Sequence, residues 1–408
     1  MSPAAAPSTA AGPSAPGRDR ADACPGALRT HAAADGALAR VRVPGGTLTG
    51  GRLRALAGAA RDLGDGALEL TSRGNLQLRG LPAGAEAALA ARLSAAGLLP
   101  SAAHDRVRNV VASVLTGRAP GGHVDVRPWV SALDAGLCAD PALADLPGRF
   151  LVAVDDGRGD VAGLGADVGL LALSPGSVAL LLAGVDTGLR SGPDGAVDLA
   201  LAATRAYSAE RGARGGTAWR LAELPGGPRA VAARLTGPRS APVAVPSPVG
   251  AGPAGTVVQR DGRHAVCAAV PLGRLTADQA ELLAAAAPTD VLVTPWRSVV
   301  VPDLPPAAAA RSTVDLAAAG LEPDPASPWW RVSACAGRPG CARSLSDVRA
   351  DAVAAVAAGA LPAGGARQHW AGCERRCGRP RGAVVDVVAV TAPDGGAGYR
   401  ITDPAEKG

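Results

Sequence analysis

The 408-residue chain has few aromatic residues, six tryptophans, two tyrosines and one phenylalanine, and a single lysine, Lys407. Its net charge of +5 is therefore carried almost wholly by arginine, whose planar fork binds carboxylate or phosphate in a bidentate way. No run of basic residues is interleaved with aromatics, so a nucleic-acid partner is not expected. No stretch reaches the roughly 18 uninterrupted apolar residues of a membrane span. The apolar patch Val168–Val185 contains Ser174-Pro-Gly and reads as two short buried strands with a turn. Residues 1–24 are rich in Ala, Pro and Ser without the apolar core of a signal peptide, and read as part of a disordered tail over 1–27. Together these absences lead us to expect a cytoplasmic protein.

Seven cysteines are present, and four of them are grouped: Cys335-x5-Cys341 and Cys373-x3-Cys377. They lie in polar stretches rich in Gly, Arg and Pro, where backbone N–H groups are free to point at sulfur. Four thiolates from two loops fit either tetrahedral zinc or an iron–sulfur cluster. The five-residue gap is wide for a zinc knuckle and suits a 4Fe-4S cluster, and positions i and i+4 of the second pair would share one face of a helical turn. A disulfide framework fits poorly with an odd cysteine count in so long a chain. Cys24, Cys138 and Cys267 are scattered singly and read as free thiols. His123 and His369 are isolated candidates for iron ligands, and no His-x-His or two-His-one-carboxylate spacing supports them. No Gly-x-Gly-x-x-Gly follows a strand, so reducing equivalents would come from an electron-donor protein.

The chain contains one unit twice. The first copy has Gly46-Thr-Leu-Thr49, a helix from Gly51 to Leu63, the strand Ala67–Thr71, the segment Ser72-Arg-Gly-Asn-Leu-Gln-Leu-Arg-Gly-Leu81, a helix Glu86–Ala95 and the stop Ala96-Gly-Leu-Leu-Pro100. The second has Gly273–Thr276, a helix Ala277–Ala287, the strand Asp290–Thr294, Pro295–Leu304, a helix near Ala307–Leu316 and Ala319-Gly-Leu-Glu-Pro323. Thr71 aligns with Thr294 and Leu81 with Leu304 without a gap. The second copy's Trp296-Arg-Ser-Val-Val-Val lacks polar alternation, as expected if only the first copy lines an active face. Further on, a helix starting at a Ser346 N-cap separates the cysteine pairs, and a strand Ala383–Thr391 leads to a turn at Pro393-Asp-Gly-Gly.

The duplicated unit, the two cysteine pairs and T-S-R-G-N-L-Q-L-R-G together resemble the nitrite/sulfite reductase family of sirohaem and 4Fe-4S enzymes, from about Leu28 to Thr402. That resemblance implies an α+β fold of duplicated ferredoxin-like half-units paired about a pseudo-twofold axis, each followed by an α+β nitrite/sulfite-reductase-like domain. The expected divisions are a half-unit over 28–103, a domain over 104–235, a linker over 236–258, the second half-unit over 259–324 and the cluster-binding domain over 325–408. It implies a 4Fe-4S cluster on Cys335, Cys341, Cys373 and Cys377, the last bridging to sirohaem iron. It also implies pocket roles for Arg73, Asn75, Gln77, Arg79, Arg108 and Asn109.

One departure narrows the reading. Where the reductases carry two basic residues around an aromatic, this chain has Arg149-Phe-Leu151, with Arg149 kept and Leu151 in the second basic position. Losing a cation weakens a site for a small oxyanion. The family's cobalamin-pathway branch is then the nearer likeness. It implies a monooxygenase that hydroxylates a tetrapyrrole substrate, precorrin-3A, with the cluster and a mononuclear non-haem iron. The alternatives are a sirohaem-dependent sulfite or nitrite reductase and a non-catalytic iron–sulfur electron-transfer protein.

Overall fold

Leucines and valines spaced for burial on one side of each helix and strand set the architecture, a computed structural model that describes residues 22–391 and 397–403. The first region runs β1 (His31–Ala33), β2 (Gly36–Val41), β3 (Thr47–Thr49), α1 (Gly50–Leu63), β4 (Ala67–Leu70), β5 (Leu76–Leu81) and α2 (Glu86–Ala95). The next holds β6 (Val110–Ala112), α3 (Arg127–Ala139), β7 (Val152–Asp155), β8 (Val168–Ser174), β9 (Ser177–Leu182), β10 (Val185–Ser191), α4 (Ala196–Ala213) and α5 (Gly227–Ala233). The third runs β11 (Gly255–Val258), β12 (His264–Ala269), β13 (Arg274–Thr276), α6 (Ala277–Ala286), β14 (Asp290–Val293), β15 (Ser298–Leu304) and α7 (Pro306–Ala318). The last holds β16 (Val332–Ala334), α8 (Val348–Ala357), β17 (Gln368–Ala371), β18 (Val385–Thr391) and β19 (Ala397–Thr402).

The two half-units exchange a strand. One sheet has the order β1-β2-β5-β4-β13 and the other β11-β12-β15-β14-β3, so each borrows its last strand from the opposite copy. Leu275 pairs with Leu68, and Leu48 pairs with Val291. The borrowed strands run straight into α1 and α6, which are capped alike: Thr49 accepts from the Arg52 N–H and Thr276 from the Gln279 N–H. A single apolar core unites the copies, with Leu53, Leu56, Leu68, Leu76, Leu78 and Leu89 from one and Val266, Leu275, Leu283, Val299 and Leu316 from the other. Each such side chain contributes about 1.5–3 kcal/mol on burial.

The segments that follow the half-units are also alike, as the resemblance implied. In the first lobe β6, β7 and β8 are parallel and β9 and β10 antiparallel; in the second β16, β17 and β18 are parallel and β19 antiparallel. A helix joins the first two strands of each, α3 in one and α8 in the other. Strands β8 and β9 with their turn confirm the two-strand reading of Val168–Val185. The residues expected as a linker are a strap over the surface, with β11 beginning at Gly255. The Val243 N–H donates to Asp186 at 2.7 Å, the Arg190 guanidinium to the Ala241 carbonyl at 2.9 Å, and the Trp296 indole to the Val249 carbonyl at 3.1 Å. Helix α8 is capped by Asp347, whose carboxylate accepts from the Ala350 N–H; Ser346, the expected cap, instead donates to Asp351. The turn expected at Pro393-Asp-Gly-Gly and most of the expected tail lie outside the described residues. No helix among them is long and apolar enough to cross a membrane.

Candidate functional site

The four grouped cysteines converge. Cys335 follows β16 directly and Cys373 stands two residues past β17, so both leave neighbouring ends of paired parallel strands. The Gly372 N–H donates to Cys335 Sγ at 3.3 Å. A Cβ at Gly372 would sit 1.7 Å from Ser344 Oγ, so only glycine permits this approach. Burial, then the neighbouring Cys335, Cys373 and Cys341 sulfurs, push the Cys377 thiol up. Cys373–Arg376 forms a turn, with the Arg376 N–H on the Cys373 carbonyl at 3.1 Å and Arg376 at φ 45°, in place of the helical turn expected there. All seven cysteines are free thiols, and no three His, Cys, Asp or Glu among the described residues converge on one metal ion. Four sulfurs on two loops, one already accepting an N–H, are a donor set that fits an iron–sulfur cluster.

Half-unit one holds this loop. Alternation along β5 puts Leu76 and Leu78 in the core and Gln77 and Arg79 on the outer face. Arg79 forms two 2.9 Å bonds to Asp35 and donates at 2.8 Å to the carbonyl of Gly340, next to Cys341. Gln77 bridges Arg40 and Glu69; Glu69 pairs at 2.6 Å with Arg349, whose Nε reaches the Cys335 carbonyl at 3.2 Å.

Beside the loop opens a cavity of about 180 Å³. Arg73, Arg220, Arg297, Arg331, Arg367, Arg379 and Arg381 line it with Trp296, Trp329 and Trp330, and no Asp or Glu is among its lining residues. Arg220 is paired with Asp167 and Arg379 with Asp386; the other five have no carboxylate partner among the described residues. Burial, then Arg220, lowers the Arg73 guanidinium to about 10, and burial likewise lowers Arg297 to about 10. Leu151 lies in the wall, so the residue at the expected second basic position faces the cavity as an apolar group.

Both half-units reach this cavity through the same turn. Thr71 Oγ1 accepts from the Arg73 and Asn75 N–H groups, and Thr294 Oγ1 from those of Trp296 and Ser298. Gly74 has φ 65° and Arg297, at the matching position, φ 59°. A non-glycine residue held there costs about 1 kcal/mol or more. Both copies therefore line this cavity, the first through Ser72 and Arg73 and the second through Trp296 and Arg297.

Comparison with known proteins places this architecture. A family profile described as the nitrite/sulfite reductase ferredoxin-like half domain matches residues 31–96 and 257–318. A precorrin-3B synthase of Sinorhizobium sp is 30% identical over 387 residues, covering 92% of this chain and 82% of that protein. The chain belongs to the nitrite/sulfite reductase family. A ferredoxin–nitrite reductase of Synechococcus elongatus is 34% identical over 144 residues, 34% of this chain and 28% of that protein. The solved structure of the Mycobacterium tuberculosis NirA protein matches 90% of this chain and 73% of its own with a TM-score of 0.70, at 20% identity, which speaks for the fold alone.

Within this family fold the residues singled out from sequence take different places. Arg73 alone of the expected substrate-binding residues lines the cavity. Asn75 accepts from the Val43 N–H and donates to Asn109, which in turn holds the Gly148 carbonyl, so the pair fixes backbone beneath the Arg73 turn. Arg108 is clamped by Asp134 at 2.7 and 2.6 Å. Arg149 is exposed and stacks 4.9 Å over Trp219. His369 is buried between Ser333 Oγ at 3.0 Å and the Cys377 carbonyl at 3.2 Å, and burial, then Arg297, pushes it down to about 3; His123 is exposed in the other lobe. The cavity arginines Arg220, Arg297, Arg331, Arg367, Arg379 and Arg381 were missed because they are scattered over four segments. The Thr71–Thr294 alignment was the available signal, since it sets Trp296-Arg297 opposite Arg73-Gly74.

Proposed function

We propose that the chain is an oxygenase of the precorrin-3B synthase type, acting in the cytoplasm on precorrin-3A. One observation carries the reading: a cavity lined by seven arginines and no acidic residue, beside four neighbouring thiols. A macrocycle bearing many carboxylates answers that wall with charge-assisted bonds. Six of the seven arginines lie close enough to repel one another, Arg73 and Arg381 about Arg220, and Arg297 and Arg379 about Arg367. They would grip carboxylates of one ring system, while the tryptophans cover its apolar surface and exclude water.

Cys335, Cys341, Cys373 and Cys377 would hold a 4Fe-4S cluster, which supplies electrons when bound; an electron-donor protein would feed it. His369 stays neutral and fixes the Cys377 carbonyl, so it orients that loop rather than moving a proton. Leu151 removes a cation that small-anion reduction would use, and the similarity to a precorrin-3B synthase over most of both chains points the same way. In the reaction, dioxygen would give one oxygen atom to C20 of the macrocycle, with closure of a γ-lactone onto a ring-A acetate. The other oxygen atom would leave as water with two electrons and two protons.

The test is incubation of the reconstituted protein with precorrin-3A, a reductant and O2. A product heavier by one oxygen atom is expected. No mass gain with an intact cluster overturns the oxygenase; sirohaem absorption bands with nitrite or sulfite reduction would establish a reductase instead, and failure to bind any tetrapyrrole an electron-transfer protein.

A further inference from the structure

Gln368 opens β17 and lines the arginine cavity beside Val332, Ser333 and Arg367. It is 1% exposed, and neither its amide oxygen nor its amide nitrogen has a hydrogen-bond partner among the described residues. Ser333 Oγ is no partner for the side chain: it donates to the Gln368 backbone carbonyl at 3.2 Å and lies 3.0 Å from His369 Nδ1. An amide buried in this way disfavours the ligand-free fold unless something else completes it.

The surrounding chemistry restricts what that is. Arg73, Arg297, Arg331, Arg367 and Arg381 already offer charged donors without carboxylate partners, so carboxylates of a ligand are provided for. A carboxylate only accepts, and would leave the Gln368 oxygen unsatisfied. A neutral group that donates and accepts, such as a pyrrole N–H beside an imine nitrogen or a hydroxyl, satisfies both ends. We infer that Gln368 is a specificity-determining residue that reads a neutral donor–acceptor group of the bound macrocycle, while the arginines read its carboxylates. The inference rests on the tetrapyrrole reading of the cavity.

Charge separates the two kinds of contact. An arginine–carboxylate bond is screened by salt, whereas a neutral hydrogen bond is not. The experiment titrates uroporphyrin III, a metal-free octacarboxylate tetrapyrrole, into the full chain with its cluster, at low and high salt, following porphyrin fluorescence. Gln368→Leu and Gln368→Met should each weaken binding about tenfold or more, by the same factor at both salts. Both should keep or raise the melting temperature of the ligand-free protein, since an orphaned amide is removed. Arg73→Gln should weaken binding by a factor that shrinks with salt. Unchanged affinity in both Gln368 variants, a penalty that shrinks with salt as for Arg73, or a lower ligand-free melting temperature in both overturns the inference and leaves the cavity reading standing. A wild-type chain that binds no uroporphyrin III overturns the cavity reading, and this inference with it.

Discussion

The outer faces of the two half-unit sheets occupy matching positions and have opposite chemistry. In the first, Glu69, Gln77 and Arg40 form a hydrogen-bonded row across three strands. In the second the same row is Leu292, Val300 and Cys267. The polar face meets the cysteine lobe through Arg79 and Gly340 and through Glu69 and Arg349. The apolar face packs on Val114, Leu115 and Ala119 of the other lobe. Apolar contact is non-directional and holds a lobe in place without fixing a loop's orientation. Buried charge-assisted bonds fix orientation, at a desolvation cost. The copy facing the thiols thus uses directional bonds, and the copy facing Val114, Leu115 and Ala119 uses packing. Burial pushes the Cys267 thiol up to about 12, so this seventh cysteine serves as a small apolar group.

The largest expected break in this comparison is Arg79→Leu. It leaves Asp35 without its cation and the Gly340 carbonyl without its donor beside the Cys341 loop, and should cost about 3–5 kcal/mol, read by urea denaturation, together with a drop in cluster absorbance after reconstitution. A merely supportive face would lose stability without losing cluster. Next is Val300→Gln, which brings the first copy's residue into the second copy's apolar row. It should cost about 2–3 kcal/mol for a buried amide without a partner, with cluster content unchanged.

The smallest effect concerns a polar tie on the apolar side. Asp303 accepts from Arg118 at 2.8 Å and from Gln259 at 2.9 Å; burial raises its carboxyl, but these bonds outweigh burial and hold it at about 2. Its folded pKa is below its unfolded one, so its stabilisation is full above about pH 4 and fades as pH falls toward 2. Acid titration of Asp303→Asn should show a shallower stability loss between those limits than the wild type.

The half-units were legible because their signals are local. The Thr49 and Thr276 caps, the alternation of β5 and the Ala-Gly-Leu stops each depend on a few neighbouring residues, and the elements fall within a residue or two of expectation. The strand exchange of β3 and β13 was not legible, since three-residue strands carry no mark of which sheet they join. The likeness of the two lobes came from the family resemblance and not from local pattern: parallel strands pair across long separations, and the helices α3 and α8 share position without sequence. At the site, residue type announced the thiols but not the partners of the arginines. Arg73 and Arg79 stand six residues apart in one motif, and one faces an uncompensated cavity while the other is clamped by Asp35.

The sequence by itself determined that four cysteines are grouped in two pairs, that one unit occurs twice and that arginine dominates the chain's positive charge. Only the tertiary structure decided which arginines share a cavity, that both copies contribute to it, and that Gln368 waits there without a partner. The reason is physical: caps, turns and periodicity are set by residues within one turn or strand, whereas the pairing of a charge or an amide depends on groups brought near from hundreds of residues away.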